Sequence, residues 1–497
     1  MKTTIKKIFA AVLAAFMLSS CSDFLTREPY DSINPDNLTS QDDVLAMVNG
    51  AYQPLQWAKL YNMRIWTLDI IAGNSVVGAG GGEDGIETIQ MADFIADSEN
   101  FAALDLWRGP SPGILRCNMV LQSIETVPMD EALRTRSFGE VSFLRAHYYF
   151  ILVRLFGGVP KITEPQKVGE DGSIPKQKRA SADEIYELII SDLENAIGAL
   201  PYKSEYATND LGRATKEAAM AELARVYLTR GENYNRVVQL CEDIEARGYD
   251  LCDDYSDNFT IAGKNGPESI FEVQYYGKTN ADFWADENQS SWLSTYTGPR
   301  NSNMVAGGWG WNQPTAEFVA QYEDGDQRFD KTVLHTNGPA FDGMYYNSSW
   351  STTGYNLRKF LVSKGESPDF DTSAANWVVT RFADVLLMKA EALNELGRTT
   401  DAEVPLYRVR SRAGLTDRST IEGLTKDQMR EKIFHERRIE LAFEGHRWYD
   451  LVRRGYDYAR EFFYSIGKTN FTQKNMLFPI PLEEMEANEL LEQNPGY

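Results

Sequence analysis

Basic side chains, histidines and cysteines are all scarce in this chain, and long apolar runs are nearly missing. Against 72 Asp and Glu stand 50 Lys and Arg, a formal charge of −22. A chain this acidic repels phosphate backbones, which sets nucleic acids aside as partners. The four histidines are His147, His335, His435 and His446. Neither His-Glu-x-x-His nor Cys-x-x-Cys spacing occurs, so no zinc site is expected. Asp324-Gly325-Asp326 offers two acids, well short of a calcium ligand set. No Gly-x-Ser-x-Gly elbow marks a serine nucleophile. The glycine-rich stretch at 73–85 lacks the Lys-Ser/Thr of a phosphate-binding loop, and no cofactor is expected. Beyond Cys21 there are three cysteines, Cys117, Cys241 and Cys252. An odd number in a long chain argues against a disulfide framework. The favoured reading is three plain thiols, with a Cys241–Cys252 bridge as the alternative.

The one apolar run of note lies at residues 8–18, too short for the ~20 helical residues a membrane span needs. Lys2, Lys6 and Lys7 precede it and Leu18-Ser19-Ser20-Cys21 follows, the order of a cleaved secretion signal. The Leu-Ser-Ser-Cys run resembles a bacterial lipobox, which makes Cys21 the lipidated mature N-terminus. One acyl chain holds a protein only reversibly, whereas two or three anchor it stably. Residues 1–20 are thus expected to be signal peptide, and 21–40, polar and punctuated by proline, a tether.

Residues 41–497 alternate helical patterns with irregular stretches. Ser181-Ala182-Asp183-Glu184 has the capping-box spacing, followed by Ile185, Leu188, Ile189, Leu193, Ala196 and Ile197 at helical period. A helix over 214–229 brings Ala218, Ala221 and Ala224 onto its surface, Gly231 ends it, and 234–247 reads as its antiparallel partner. This is the tetratricopeptide pattern. A second pair is expected over 383–397 and 401–413, where Pro405 should cost or kink the second helix. Further helices are predicted at 40–57, 103–126, 131–156 and 426–454. The fold class is therefore mostly α: tetratricopeptide-like helix pairs forming one compact framework, about 41–250 and 376–497. A loop-rich lobe rich in Gly, Asn, Ser and Trp fills about 253–375.

Three ordered motifs give these blocks a family likeness. The run Gly139-Glu140-Val141-Ser142-Phe143-Leu144-Arg145-Ala146-His147-Tyr148-Tyr149-Phe150 ends in Phe156-Gly157-Gly158-Val159-Pro160. Next comes Arg381-Phe382-Ala383-Asp384-Val385-Leu386-Leu387-Met388-Lys389-Ala390-Glu391-Ala392, continuing to Val409-Arg410-Ser411-Arg412-Ala413-Gly414-Leu415. The third is Glu436-Arg437-Arg438-Ile439-Glu440-Leu441-Ala442-Phe443-Glu444-Gly445-His446-Arg447-Trp448-Tyr449-Asp450-Leu451, followed by Phe478-Pro479-Ile480-Pro481 and Gln493-Asn494-Pro495-Gly496-Tyr497. In this order they resemble the SusD/RagB family, with Pro405 the clearest departure. The resemblance implies a lipid-anchored outer-membrane protein, facing the cell exterior, that captures oligosaccharide or polysaccharide for a SusC-like TonB-dependent transporter. RagB-like members imply peptide as the alternative cargo.

Sugars bind through apolar C–H faces on aromatic rings and through hydroxyls on amides or carboxylates. Trp284, Trp292, Tyr296 and Trp350 stand in loop segments with no helical or strand period to bury them, and such rings bury large areas at little entropy cost. They are the expected ligand contacts, joined by Asn74 or Asp84 from the glycine-rich loop. Trp309 and Trp311 read instead as framework. The one enzymatic temptation is Glu440 and Glu444, expected one helical turn apart and spaced as a retaining glycosidase pair would be. Arg437, Arg447 and Asp450 share that segment, so a structural ion-pair network is the preferred reading and no catalysis is expected.

Overall fold

The computed structural model describes residues 38–78, 84–166, 174–277, 283–285 and 288–497. The signal peptide, Cys21 and tether residues 21–37 lie outside the described residues, as do loop residues 79–83.

Helix α1 (Gln41–Tyr52) opens with a reciprocal cap, Asp43 N–H donating to Ser40 Oγ and Ser40 N–H to the Asp43 carboxylate. The helix expected over 103–126 is two pieces: a short helix at Phe101–Arg108, then α2 (Ser111–Ser123). Gly109-Pro110 divides them, because proline has no N–H to continue the ladder. Helix α3 (Glu131–Phe156) matches its predicted span, and from Ser137 onward nearly every residue is buried, as a helix central to a core must be. Gly157, at φ +74°, ends it. Helix α4 (Ala182–Ala199) starts at the predicted Ser181–Glu184 capping box. Helix α5 (Lys216–Arg230) stops at left-handed Gly231, and α6 (Tyr234–Glu245) returns from it.

A second hairpin pairs α7 (Phe382–Glu395) with α8 (Thr399–Arg412), which runs through a buried Pro405. Then follow α9 (Lys426–Glu440), α10 (Arg447–Arg453) and α11 (Tyr456–Ser465). From α1 to α7 each helix packs on the next, and α7 also packs on α8 and α9. The layering follows chain order even across the lobe, since α6 packs directly on α7. Strand β2 (Ser269–Val273) leads into the lobe and pairs antiparallel with β6 (Trp377–Arg381), which leads out, Val273 facing Trp377. Short antiparallel ladders fix its interior: β1 (Ser75–Val76) with β3 (Gln313–Pro314), and β4 (Val333–Leu334) with β5 (Asn356–Leu357). One hydrophobic core runs from the helices into the lobe, reaching Trp292, Tyr296 and Leu357. Cys117, Cys241 and Cys252 are all buried free thiols, so no Cys241–Cys252 bridge forms. Among the described residues, no helix is long and apolar enough to cross a membrane.

The helix predicted over 426–454 is broken at 441–446. Phe443 has φ +64° and Gly445 φ +78°, left-handed backbone that a bulky residue such as Phe adopts only when its surroundings hold it. Asp69 supplies the hold: its carboxylate accepts the N–H of Gly445 at 2.9 Å and of Phe443 at 3.3 Å.

Candidate functional site

Side chains of the lobe are placed by turns and by packing between loops. Gly307, Gly308 and Gly310 all have positive φ, and a Cβ on Gly307 would come within 2.6 Å of the Thr295 methyl. Those glycines let the segment lie flat on the short helix at Leu293–Thr297. Trp309 N–H donates to the Thr295 carbonyl and Trp311 N–H to that of Tyr296, both at 2.8 Å. Thr295 Oγ1 in turn donates to the Phe370 carbonyl at 2.7 Å. Trp309 and Phe370 are thereby presented side by side.

These rings belong to a continuous aromatic ridge. Trp292 lies at its centre, with ring centroids 5.3 Å from Phe370, 5.8 Å from Trp309 and 5.0 Å from Phe283. Phe283 contacts Trp284 at 4.9 Å, and Trp284 meets Phe101 edge to face at 6.5 Å. Tyr296, Trp311 and Trp66 stack beneath. Phe370 and Trp284 are 47% and 46% exposed and Phe101 51%, while the rings under them are buried. Tilted and edge-to-face pairs at such separations add about 0.5–1.5 kcal/mol each beyond area burial, so the exposed rings sit on a stiff base. Beside Trp309 and Phe370 opens a cleft of about 560 Å³, lined also by Arg300, Asn301, Asn303, Lys364 and Asp369.

Every arginine along the ridge is paired. Arg64, buried under Trp284 and Phe101, donates to Asp105 at 2.8 Å and Glu87 at 2.9 Å. Burial pushes the Asp105 carboxyl up against the pull of Arg64. Arg300 pairs with Asp84 at 3.0 Å, and Lys364 Nζ donates to Asn303 Oδ1.

The predicted contacts thus fall in different places. Trp284 is exposed on the ridge. Trp292 and Tyr296, expected to stand free in loops, are 5% and 6% exposed, because the core of the helices extends under these loops where no regular period announces it. Trp350 is half-buried and packs on Tyr346 against a small separate core of Met304, Val305, Leu334 and Leu361. Asn74, expected on a mobile loop, is fully buried: it donates to Asp69 at 3.0 Å and accepts from Arg438 at 3.0 Å. Its amide ties the loop to α9 and so is not offered to a ligand. Of the two tryptophans read as framework, Trp311 is in the core and Trp309 is half-exposed along the cleft. Phe101, Phe370, Arg64 and Arg300 escaped the sequence reading. Phe370, set in Pro368-Asp369-Phe370-Asp371, carried a signal, a bulky ring in a polar loop.

Glu440 and Glu444 do not stand one helical turn apart, since α9 ends at Glu440. Both are buried in a lattice of ion pairs. Arg381 binds the Glu444 carboxylate through two nitrogens, at 2.9 and 2.8 Å, and reaches Glu440 and Glu268 as well. Arg412 and Arg328 add to Glu440, and Lys359 to Glu444. Burial opposes ionisation of Glu440, but Arg412, Arg381 and Arg328 together hold it well below the usual carboxylate range. Burial, helped by the neighbouring Arg381 charge, brings Lys359 down to about 8 although Glu444 opposes it. With every oxygen committed and no face open to solvent, the pair has no room for a sugar. Asp326 is likewise bound to Arg328 at 2.7 Å, and among the described residues no three His, Cys, Asp or Glu gather as a metal set.

Two sequence profiles of one family divide the chain between them. The profile described as "SusD family" matches residues 267–497, and the profile described as "Starch-binding associating with outer membrane" matches 23–228. The chain belongs to the SusD family. It is 27% identical to a SusD-like protein of Formosa agariphila over 98% of each chain. Among solved structures, a laminarin-binding SusD-like protein aligns with TM-score 0.80 at 29% identity, covering 92% of this chain and all of that one. Surface glycan-binding protein A from Bacteroides fluxus aligns with TM-score 0.78 at 27% identity and the same coverage. The SusD motifs of the sequence map onto the interior: Arg381, Arg410, Arg412, Glu436 and Glu440 are lattice residues.

Proposed function

We propose that this SusD-family chain is a lipid-anchored protein of the cell surface that captures oligosaccharides on the aromatic ridge and passes them to a SusC-like TonB-dependent transporter. It binds and does not cleave. One observation carries the reading: Trp284 and Phe370, half-exposed, are held on buried Phe283 and Trp292, a stiff apolar surface for the C–H faces of successive sugar rings. Amides and hydroxyls nearby, Asn301 and Asn303 in the cleft among them, suit sugar hydroxyls. The fold's likeness to structures described as laminarin-binding and surface glycan-binding supports the same reading. Cys21 carries the anchor and the tether sets the reach above the membrane.

Calorimetry of the purified mature chain against soluble glycans and peptides tests the site. Binding to a glycan that falls at least tenfold in Trp284→Ala and in Phe370→Ala supports it. Binding of peptides alone would transfer the role to peptide uptake. Co-purification with a SusC-like transporter tests the partnership.

A further inference from the structure

Resting on the reading of the ridge as a glycan site, the charges around it name the class of glycan. Anionic sugars are usually gripped by an arginine fork, two parallel N–H donors facing a carboxylate or sulfate. Both arginines on this ridge already have their charge countered, Arg64 through Nε by Asp105 and Nη1 by Glu87, and Arg300 through Nη1 by Asp84. Lys364 donates to Asn303 and shares its cleft with Asp369. The balance around the ridge, the buried Arg64 and Asp105 included, is three cations against four carboxylates, Glu87, Asp105, Asp84 and Asp369. The whole chain stands at −22, so a polyanion is also repelled at longer range, within the ~8–10 Å over which charge is felt at physiological salt.

We propose that the ridge selects uncharged oligosaccharides over those bearing carboxylate or sulfate, and that Asp84 sets this choice by occupying Arg300. Arg64 is buried with Asp105 and cannot be released cheaply. The Arg300–Asp84 pair is half-exposed on each side, and exposed pairs are weak. It is therefore the place where selectivity can be altered without disturbing the fold.

The test is binding of the full mature chain to two sets of soluble probes. One set is uncharged: gluco-, manno- and xylo-oligosaccharides, laminari-oligosaccharides included. The other is oligogalacturonate and a sulfated galactan oligosaccharide. The expected result is binding of at least one uncharged probe, at least tenfold tighter than any anionic one, with less than twofold change between 50 and 500 mM NaCl. In Asp84→Asn, affinity for oligogalacturonate should rise at least threefold while that for the uncharged probe stays within twofold. Equal or tighter binding of an anionic probe, or an affinity that falls steeply with salt, overturns the inference and leaves the glycan reading standing. Unchanged discrimination in Asp84→Asn overturns the assignment to Asp84. Binding of no glycan in either set overturns the inference and the reading beneath it together.

Discussion

The ion-pair lattice between β6, α8 and α9 and the aromatic ridge of the lobe are opposite solutions to the same task of fixing large side chains in place. In the lattice, charges sit on regular elements: Arg381 ends β6, Arg410 and Arg412 close α8, and Glu436 and Glu440 lie on α9. Each is buried and bonded to several others, so position follows from spacing along a helix. In the ridge, Phe101, Trp284, Trp309 and Phe370 come from four separate segments and are aligned by packing on shared rings and, for Trp309 and Phe370, by hydrogen bonds to Thr295. Regular elements carry most of the charged motif residues, whereas the exposed rings, Phe101 at a helix start apart, stand on irregular backbone. The exposed rings are thus set apart from the lattice, although two lattice residues, Arg328 and Lys359, come from the lobe itself.

The comparison breaks hardest at Arg381. Removing one partner of a buried ion pair costs about 3–5 kcal/mol, and Arg381→Ala takes a shared partner from Glu268, Glu440 and Glu444 at once. We expect a chain that fails to fold or loses most of its stability, measured as a fall in Tm or in the denaturant midpoint. Next in size is Trp292→Ala. Losing a buried large aromatic costs about 3–5 kcal/mol, and Trp292 is in contact with Phe283, Trp309 and Phe370. Its variant should lose stability and ligand affinity together, whereas Trp284→Ala should lose only affinity. Undiminished stability in Trp292→Ala would dissolve the distinction between ridge and base.

How much was legible follows the same division. Capped helices such as α4 and the long apolar α3 were readable because local period and side-chain caps act within a few residues. The breaks were not: the helical pattern over 103–126 runs straight through Gly109-Pro110, and the turn at 441–446 is held by Asp69, more than 370 positions away. Glu440 and Glu444 looked like a helical pair for that reason. At the ridge, Trp284 was legible as an exposed ring, but nothing in the spacing of Trp292 and Tyr296 separates a buried ring from an open one. Asn74 sits in a glycine-rich stretch that reads as mobile, yet its partners Asp69 and Arg438 are visible only in the fold.

A pH dependence sharpens the contrast, because the helical framework holds titratable groups in its interior. Burial lowers the pKa of His446 from 6.5 to about 4, so it is neutral when folded. A histidine whose folded pKa is depressed binds its proton only in the unfolded state as pH drops. Its contribution is complete above pH 6.5 and is lost as pH falls from there toward about 4. The loss approaches about 3 kcal/mol, at ~1.4 kcal/mol per pKa unit. Denaturation midpoints between pH 7 and 4.5 should fall, and His446→Gln should flatten the fall. An equal slope in wild type and variant would assign the acid sensitivity to the lattice carboxylates instead.

The smallest expected effect lies on the framework's surface, at the capping box of α4. Ser181 Oγ accepts the Glu184 N–H at 3.2 Å, while the Glu184 carboxylate accepts the Ser181 N–H at 2.8 Å and is held below its usual pKa by that bond and the serine hydroxyl. Replacing such a cap by alanine costs about 1 kcal/mol. Ser181→Ala should therefore lower stability slightly and leave every glycan affinity unchanged, because α4 packs on α3 and α5 and contributes no side chain to the ridge. A change in affinity from so distant and so small a perturbation would mean that framework and ridge are mechanically coupled.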